Sequence, residues 1–316
     1  DTEGMEEKRS PLDFAIWKKA DAHHLMKWPS PWGEGFPGWH LECSAMSTKY
    51  LGHTFDIHGG GMDLLFPHHE SEIAQSNICN GGHICAKYWI HSNMITIGGR
   101  KMGKSYNNVI KLTELFSGNH PLLEKAYSPM AIRFFVLQTH HSSTLDFGNE
   151  ALQAAEKGLK RLMDAYKISS QWSVANSTTA NDTELEAKVA KLLGEFDDFM
   201  NDDFNTAKVL ANMFELVPII NGIKDNHIAI DALSSDTLQL LQKQLNAYIK
   251  DIFGLKDEHA IDNGKLNGVM QLLIDLRKAA KAKKDYATSD AIRKQLQVLG
   301  IELKDEKDGE MSYSIA

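Results

Sequence analysis

Through the second half of the chain, apolar residues fall at helical spacing. From Asn149 to Tyr166, Leu152, Ala155, Leu159, Leu162 and Met163 recur every three or four positions, which draws one stripe along an amphipathic helix. Further helices are predicted from about Asp182 to Met200, Asn205 to Asp225 and Ser235 to Phe253. The polar stretch 169–183, rich in Ser, Thr, Asn and Ala, reads as a loop. Together these segments predict a helical bundle. The first half is patterned differently. Short apolar runs, Thr54 to Ile57 and Trp89 to Ile97, end at His58-Gly59-Gly60-Gly61 and at Gly98-Gly99, with a helix predicted from Pro67 to Asn80 between them. Strands ending in glycine loops and interleaved with helices predict α/β layers, and ligands of such sheets sit where loops leave the strands' carboxyl ends.

Composition sharpens the division. Five of the six Trp and seven of the eight Pro precede residue 150. The 316 residues are enough for two or three domains with sizeable cores. With 42% hydrophobic and 24% charged residues, disordered, collagen-like and coiled-coil classes are excluded. No apolar run reaches the ~18 residues of a membrane span, so no membrane partner is expected. Cys43, Cys79 and Cys85 are an odd number in a long chain, which argues against a disulfide framework and for a reducing, cytoplasmic setting. The chain begins at Asp1 with a charged segment to Ser10, the expected look of a piece cut from a longer polypeptide. Although the whole carries a net charge of −8, Arg277 to Lys294 holds seven Lys/Arg against two Asp. That basic helical stretch is either a seat for phosphates or a solvated helix face.

Three segments could carry chemistry. In Pro67-His68-His69-Glu70-Ser71-Glu72, His68 and Glu72 stand four residues apart, on one face of a helix. An imidazole and a carboxylate so placed are two corners of a zinc site, and Cys43 could supply a thiolate; capping and packing roles are the alternatives. His58-Gly59-Gly60-Gly61-Met62-Asp63 could let backbone amides approach a ligand while Asp63 accepts a ribose hydroxyl, or could be a flexible turn. Gly99-Arg100-Lys101-Met102-Gly103-Lys104-Ser105 puts three cations in a glycine-punctuated loop, suited to a polyphosphate.

Taken in order, these residues resemble the cysteinyl-tRNA synthetases, which are class I aminoacyl-tRNA synthetases. The resemblance runs from Ser10-Pro11-Leu12-Asp13-Phe14-Ala15-Ile16-Trp17-Lys18 through Ser30-Pro31-Trp32-Gly33-Glu34-Gly35 and Gly38-Trp39-His40-Leu41-Glu42-Cys43-Ser44-Ala45-Met46. It continues through His58 to Asp63, Phe66-Pro67-His68-His69-Glu70 with Glu72, and Lys101 to Ser105, which is similar to the class signature Lys-Met-Ser-Lys-Ser. Asn201-Asp202-Asp203-Phe204-Asn205-Thr206 closes it. The resemblance implies a Zn2+ ion bound by Cys43, His68 and Glu72 that selects the thiolate of L-cysteine. It implies Trp39 beside the amino acid, and His58, Gly59, Gly60, Gly61 and Asp63 bordering the adenylate. Lys101 and Lys104 are implied as catalytic, Lys104 holding the phosphates of ATP supplied with Mg2+. The implied product is cysteine attached to tRNA(Cys), made by a cytoplasmic monomer.

The chain also departs from the family pattern. The family's His-Ile-Gly-His signature and the cysteine preceding it are absent from these 316 residues, so the resemblance is to the latter two-thirds, and the isolated chain is expected to be inactive. Gly103 stands for the signature serine, and Gly309-Glu310-Met311-Ser312-Tyr313 lacks a tryptophan common there. His140-His141-Ser142-Ser143 stands where His-Tyr-Arg-Ser is usual. A cysteine ligase acting on a small amino sugar and a non-catalytic zinc- or RNA-binding fragment are the alternatives. The expected architecture is α/β plus all-α. It comprises the second half of a Rossmann-like catalytic domain (1–110), a stem-contact connection (111–148), a tRNA-binding helical bundle (149–255) and a small anticodon-binding module (256–316).

Overall fold

A computed structural model of the protein describes residues 8–173, 180–299, 301–305 and 311–315. The chain divides into two compact units, Asp1–Phe253 and Gly254–Ala316. Most of the charged segment before Ser10, the middle of the loop expected at 169–183, and Gly309 and Glu310 lie outside the described residues.

The first unit opens with a small antiparallel sheet, β1 (Trp17–Lys19), β2 (Trp28–Ser30) and β3 (Gly33–Pro37), with β3 in the middle. Helix α1 (Trp39–Leu51) follows. Then β4 (Phe55–Gly61), α2 (Glu70–Cys79) and β5 (Ala86–Ser92) form a βαβ unit whose strands pair in parallel, His58 opposite Trp89 and Gly61 opposite Ser92. The glycines expected to form a loop after the strand are therefore within it. A Cβ on Gly60 would come within 2.6 Å of the His69 ring, so glycine here admits a neighbouring side chain against the strand rather than a turn. The apolar run expected from Trp89 to Ile97 likewise breaks at Asn93-Met94. Its end, β6 (Ile95–Ile97), joins a second sheet, antiparallel to β7 (Arg100–Lys101) and parallel to β8 (Leu145–Phe147).

Around α1 and α2 little apolar surface is buried. No residue of α1 is buried, and the buried residues of α2 are Ser71, Glu72, Gln75 and Ser76. The apolar mass lies instead in the helices α4 (Pro129–Leu137), α5 (Asn149–Ser170), α6 (Thr183–Asn201), α7 (Thr206–Lys224) and α8 (Ser235–Asn246), α3 (Leu112–Ser117) being a short preceding turn. All five residues of the stripe predicted along α5 are buried. Helix α5 packs on α4 and α7, and Phe134 of α4, Phe196 of α6 and Met213 of α7 are fully excluded from water. The caps are local and sequence-encoded: Asp182, Asn205 and Ser234 each accept an amide of the first turn of α6, α7 and α8.

In the second unit, α9 (Glu258–Ala282) packs on α10 (Tyr286–Val298), which packs on the hairpin β9 (Ile301–Asp305) and β10 (Met311–Ile315). Met270, Ile274, Leu296 and Leu303 form its core. The basic stretch expected as one helix is broken at Lys284, whose φ is +61°, and its first cation, Arg277, is only 2% exposed. Arg277 therefore does not belong to an open basic face; Lys283, Lys284, Arg293 and Lys294 are exposed.

Candidate active site

Trp39, His40 and Cys43 lie on the first turns of α1, and Glu72 on the first turn of α2, which packs beside it. The hydroxyl of Ser76 donates to that of Ser44 across this contact, at 3.3 Å. Cys43 and Glu72 lie close enough for each to act on the other's titration. Burial, reinforced by the Glu72 charge, pushes the Cys43 thiol up to about 11, and burial also raises the Glu72 carboxyl. The two side chains thus compete for a proton in a place that lacks positive charge.

Imidazoles surround them. Residues Leu65–His69 wind in a wider turn than an α-helix, with Phe66 extended inside it, before α2 begins at Glu70. His68 Nδ1 lies 2.9 Å from His40 Nε2, and its ring tilts against that of Trp39 with centroids 4.5 Å apart. His69, 3% exposed, has Nδ1 2.8 Å from His91 Nε2. His58 stacks on its cross-strand neighbour Trp89, and its Nε2 lies 3.5 Å from a Glu72 oxygen. Burial first, then neighbouring imidazoles, lowers His40 and His58 and takes His69 to about 4. These three rings are therefore neutral at pH 7, with lone pairs available to a cation.

Among the described residues, two groups of three metal-ligating side chains converge with all ligand atoms within 4.8 Å: His58, His69 and Glu72, and His140, His141 and Asp203. Of the three residues singled out in the sequence, Cys43 and Glu72 are in contact, while His68 lies against Trp39 and His40. The i, i+4 face shared by His68 and Glu72 presumes a regular α-helix, and the wide turn up to His69 is not one. The sequence pattern does not single out His69, His40, His91 or Trp89; for His69 the adjacent His68 is the available signal.

The second wall is the basic loop. Gly61, Asp63, Ser92, Asn93, Lys101 and Met102 are among the residues lining a cavity of about 270 Å³ at the carboxyl ends of β4 and β5. Lys101 Nζ lies 3.6 Å from an Asp63 oxygen, and Lys104 is exposed at the tip. Two side chains brace the loop. Asp146 Oδ1 accepts from Thr96 Oγ1 at 2.6 Å and from the Gly99 amide at 2.9 Å, which holds its carboxyl below the usual range. Asn108 accepts from the Gly103 amide and donates to the Lys101 carbonyl. Nothing in the local sequence pattern marks either residue. Gly103 itself is extended, a conformation open to serine as well.

A family model described as the class I (C) tRNA synthetase catalytic domain matches residues 1–157, and a DALR domain model matches residues 195–256. A curated cysteine-tRNA ligase of Bacteroides thetaiotaomicron is 51% identical over 312 residues, 98% of this chain and 62% of that protein. One of Porphyromonas gingivalis is 49% identical over 310 residues, 97% of this chain and 61% of the relative. The chain thus spans about three-fifths of the length of these relatives. A solved ternary complex of Agrobacterium radiobacter K84 LeuRS, tRNA and LeuAMS has a similar fold. Its TM-score is 0.50 at 14% identity, covering 70% of this chain and 32% of that one. With a catalytic-domain match over the half that holds the histidine-rich site and the lysine loop, a DALR match in the bundle, and half of all positions shared with relatives, the chain belongs to the cysteinyl-tRNA synthetase family of class I synthetases.

Proposed function

We propose that this chain supplies the cysteine-selecting and phosphate-holding elements of an enzyme that attaches L-cysteine to tRNA(Cys) through a cysteinyl-adenylate, using ATP with Mg2+. The observation that carries the reading is the Cys43–Glu72 contact inside a nest of neutral imidazoles. A thiol, a carboxyl and several imidazoles gathered in one place are the donor chemistry of a zinc site. Cys43, His68 and Glu72 would hold the ion, and His69 or His58 is close enough to Glu72 to share that task. Zinc there would supply an open position that favours a soft thiolate over the hydroxyl of serine.

The chain's own residues do the rest. Trp39 closes the amino-acid side of the site. His58 to Asp63 present the strand end and the Asp63 carboxylate to the adenylate. Lys101, paired to Asp63 until substrate arrives, and Lys104 at the loop tip bring positive charge to the phosphates as charge develops on them. The bundle 149–255 and the unit 256–316 would carry the tRNA contacts, with 111–148 as the connection from the catalytic segment 1–110. The DALR match supports tRNA rather than an amino sugar as acceptor. We take the protein to act as a cytoplasmic monomer; no helix among the described residues is long and apolar enough to cross a membrane.

Atomic emission on the purified chain tests the metal assignment. Zinc should be present, and Cys43→Ser and His68→Ala should each abolish it; undiminished zinc in both variants overturns the reading. These 316 residues hold no His-Ile-Gly-His tetrapeptide. The chain alone should therefore show negligible cysteine-dependent ATP-pyrophosphate exchange, and measurable exchange would refute that expectation.

A further inference from the structure

Away from this site, two segments distinctive in the sequence meet. His140 and His141 follow α4, and Asp203 lies in the turn between α6 and α7. Nε2 of each imidazole lies 3.1 Å from the Asp203 carbonyl oxygen. His141 Nε2 is also 3.2 Å from Asp203 Oδ1, and His140 Nε2 is 3.8 Å from Oδ2. The two rings stack with centroids 4.4 Å apart.

The far ring nitrogens are held as well. His140 Nδ1 lies 2.6 Å from Ser142 Oγ, and His141 Nδ1 lies 3.3 Å from the His91 carbonyl at the end of β5. A carbonyl only accepts, so His141 Nδ1 carries the hydrogen. His141 Nε2 likewise faces a carbonyl and a carboxylate, so both ring nitrogens are turned to acceptors, and Nε2 is where either a proton or a metal ion would sit. Something positive belongs between them.

We infer that His140, His141 and Asp203 form a second metal site, for a divalent ion of the zinc, cobalt and nickel class, with the Asp203 carbonyl as a fourth donor. The spacing agrees. Metal–ligand bonds of about 2.0–2.2 Å set neighbouring donors roughly 3.0–3.5 Å apart, and the 3.1, 3.1 and 3.2 Å separations fall in that range. The 3.8 Å separation closes with a small rotation of an exposed carboxylate. Two imidazoles with oxygen donors suit this class of ion, whereas Mg2+ and Ca2+ prefer oxygen throughout. The outer partner of His141 is in place in the His91 carbonyl; His140 Nδ1 accepts from the Ser142 amide at 3.2 Å, and ligation through Nε2 would move its hydrogen to Nδ1, where the Ser142 hydroxyl, 2.6 Å away, would accept it.

Asp203 and Phe204 adopt φ of +57° and +54°, two consecutive non-glycine residues in the left-handed region. Such backbone is held only where surrounding contacts compensate it. The ion would fasten this turn of the bundle to the segment bordering β5.

Cobalt titration of the purified chain tests this independently of the Cys43 site. In a Cys43→Ser/Glu72→Ala background, Co2+ should still bind at one equivalent. It should give d–d absorption without a thiolate charge-transfer band and be displaced by Zn2+. His141→Gln and Asp203→Asn should each weaken that binding at least tenfold, and Ser142→Ala should weaken it about tenfold through loss of the outer partner. Should the background variant fail to fold by circular dichroism, the comparison is made in the unmodified chain, where His141→Gln should remove one equivalent of cobalt and leave any thiolate band intact. Absence of saturable cobalt binding in the folded background, or affinity unchanged by His141→Gln in either chain, overturns the inference.

Discussion

Substituting alanine at Gly60 and at Gly59 separates a strand glycine that the site requires from one it does not. A methyl group on Gly60 would sit 2.6 Å from His69 Cε1, 3.0 Å from its Nε2 and 3.1 Å from Leu64 Cδ1. Carbon atoms at rest stay about 3.5–4.0 Å apart, so the His69 ring would have to move by about 1 Å. It has little room to do so, being 3% exposed, 2.8 Å from His91 Nε2 and packed against the rings of His58 and Trp89. Overpacking of this kind costs about 1–3 kcal/mol. At Gly59 the nearest atom to the added methyl is the Ile90 carbonyl at 3.7 Å, an ordinary contact. There the lost flexibility of the unfolded chain should stabilise by about 0.4–1 kcal/mol. In a unit of this size about 1 kcal/mol corresponds to roughly 2–4 °C. Thermal unfolding should therefore place Gly60→Ala roughly 2–12 °C below the parent and Gly59→Ala at or slightly above it. Zinc affinity should fall only in the former, because His69 is the neighbour of Glu72. Equal Tm values and equal zinc affinity for the two variants would refute the close approach of His69 to the strand.

Three further outcomes follow from particular contacts. Glu186 on α6 accepts from the Ser234 amide at 3.0 Å and from the Ser234 and Thr237 hydroxyls at 2.6 Å each. Burial opposes its charge, but these donors outweigh it and hold the carboxyl below the usual range. A depressed carboxyl stabilises above its unfolded value and loses that contribution as pH falls through its folded value. Glu186→Ala should thus cost roughly 1–2 kcal/mol at pH 7 by urea unfolding, with the difference from the parent shrinking in acid; a pH-independent difference contradicts the assignment. Asp146→Ala should speed hydrogen exchange at the Gly99 amide, which donates to it, and unchanged exchange there would remove its role in bracing the lysine loop. In a chain of the relatives' full length, Lys104→Ala should slow single-turnover adenylate formation about 100-fold, and an unaltered rate would exclude contact with the phosphates.

The amphipathic stripe of α5 and the starts of α6, α7 and α8 were legible in the sequence, because each depends on residues within a turn or two of itself. The order of the motifs carried the family in the same way, as residue types at fixed separations. Three-dimensional pairing decided the remainder. Whether a run of glycines is a loop or a strand depends on a partner about thirty positions away, and here Gly59 to Gly61 pair with Ile90 to Ser92. Which imidazole meets Glu72 depends on the wide turn before α2, and Arg277 is buried although it opens a run of basic residues. Asp146 reaches Gly99 from 47 residues away, and Asp203 meets His140 and His141 from more than 60. Periodicity records which face of an element turns inward, since that is repeated along the chain. It does not record which distant side chain arrives there, because that contact is made only once, when separate elements pack.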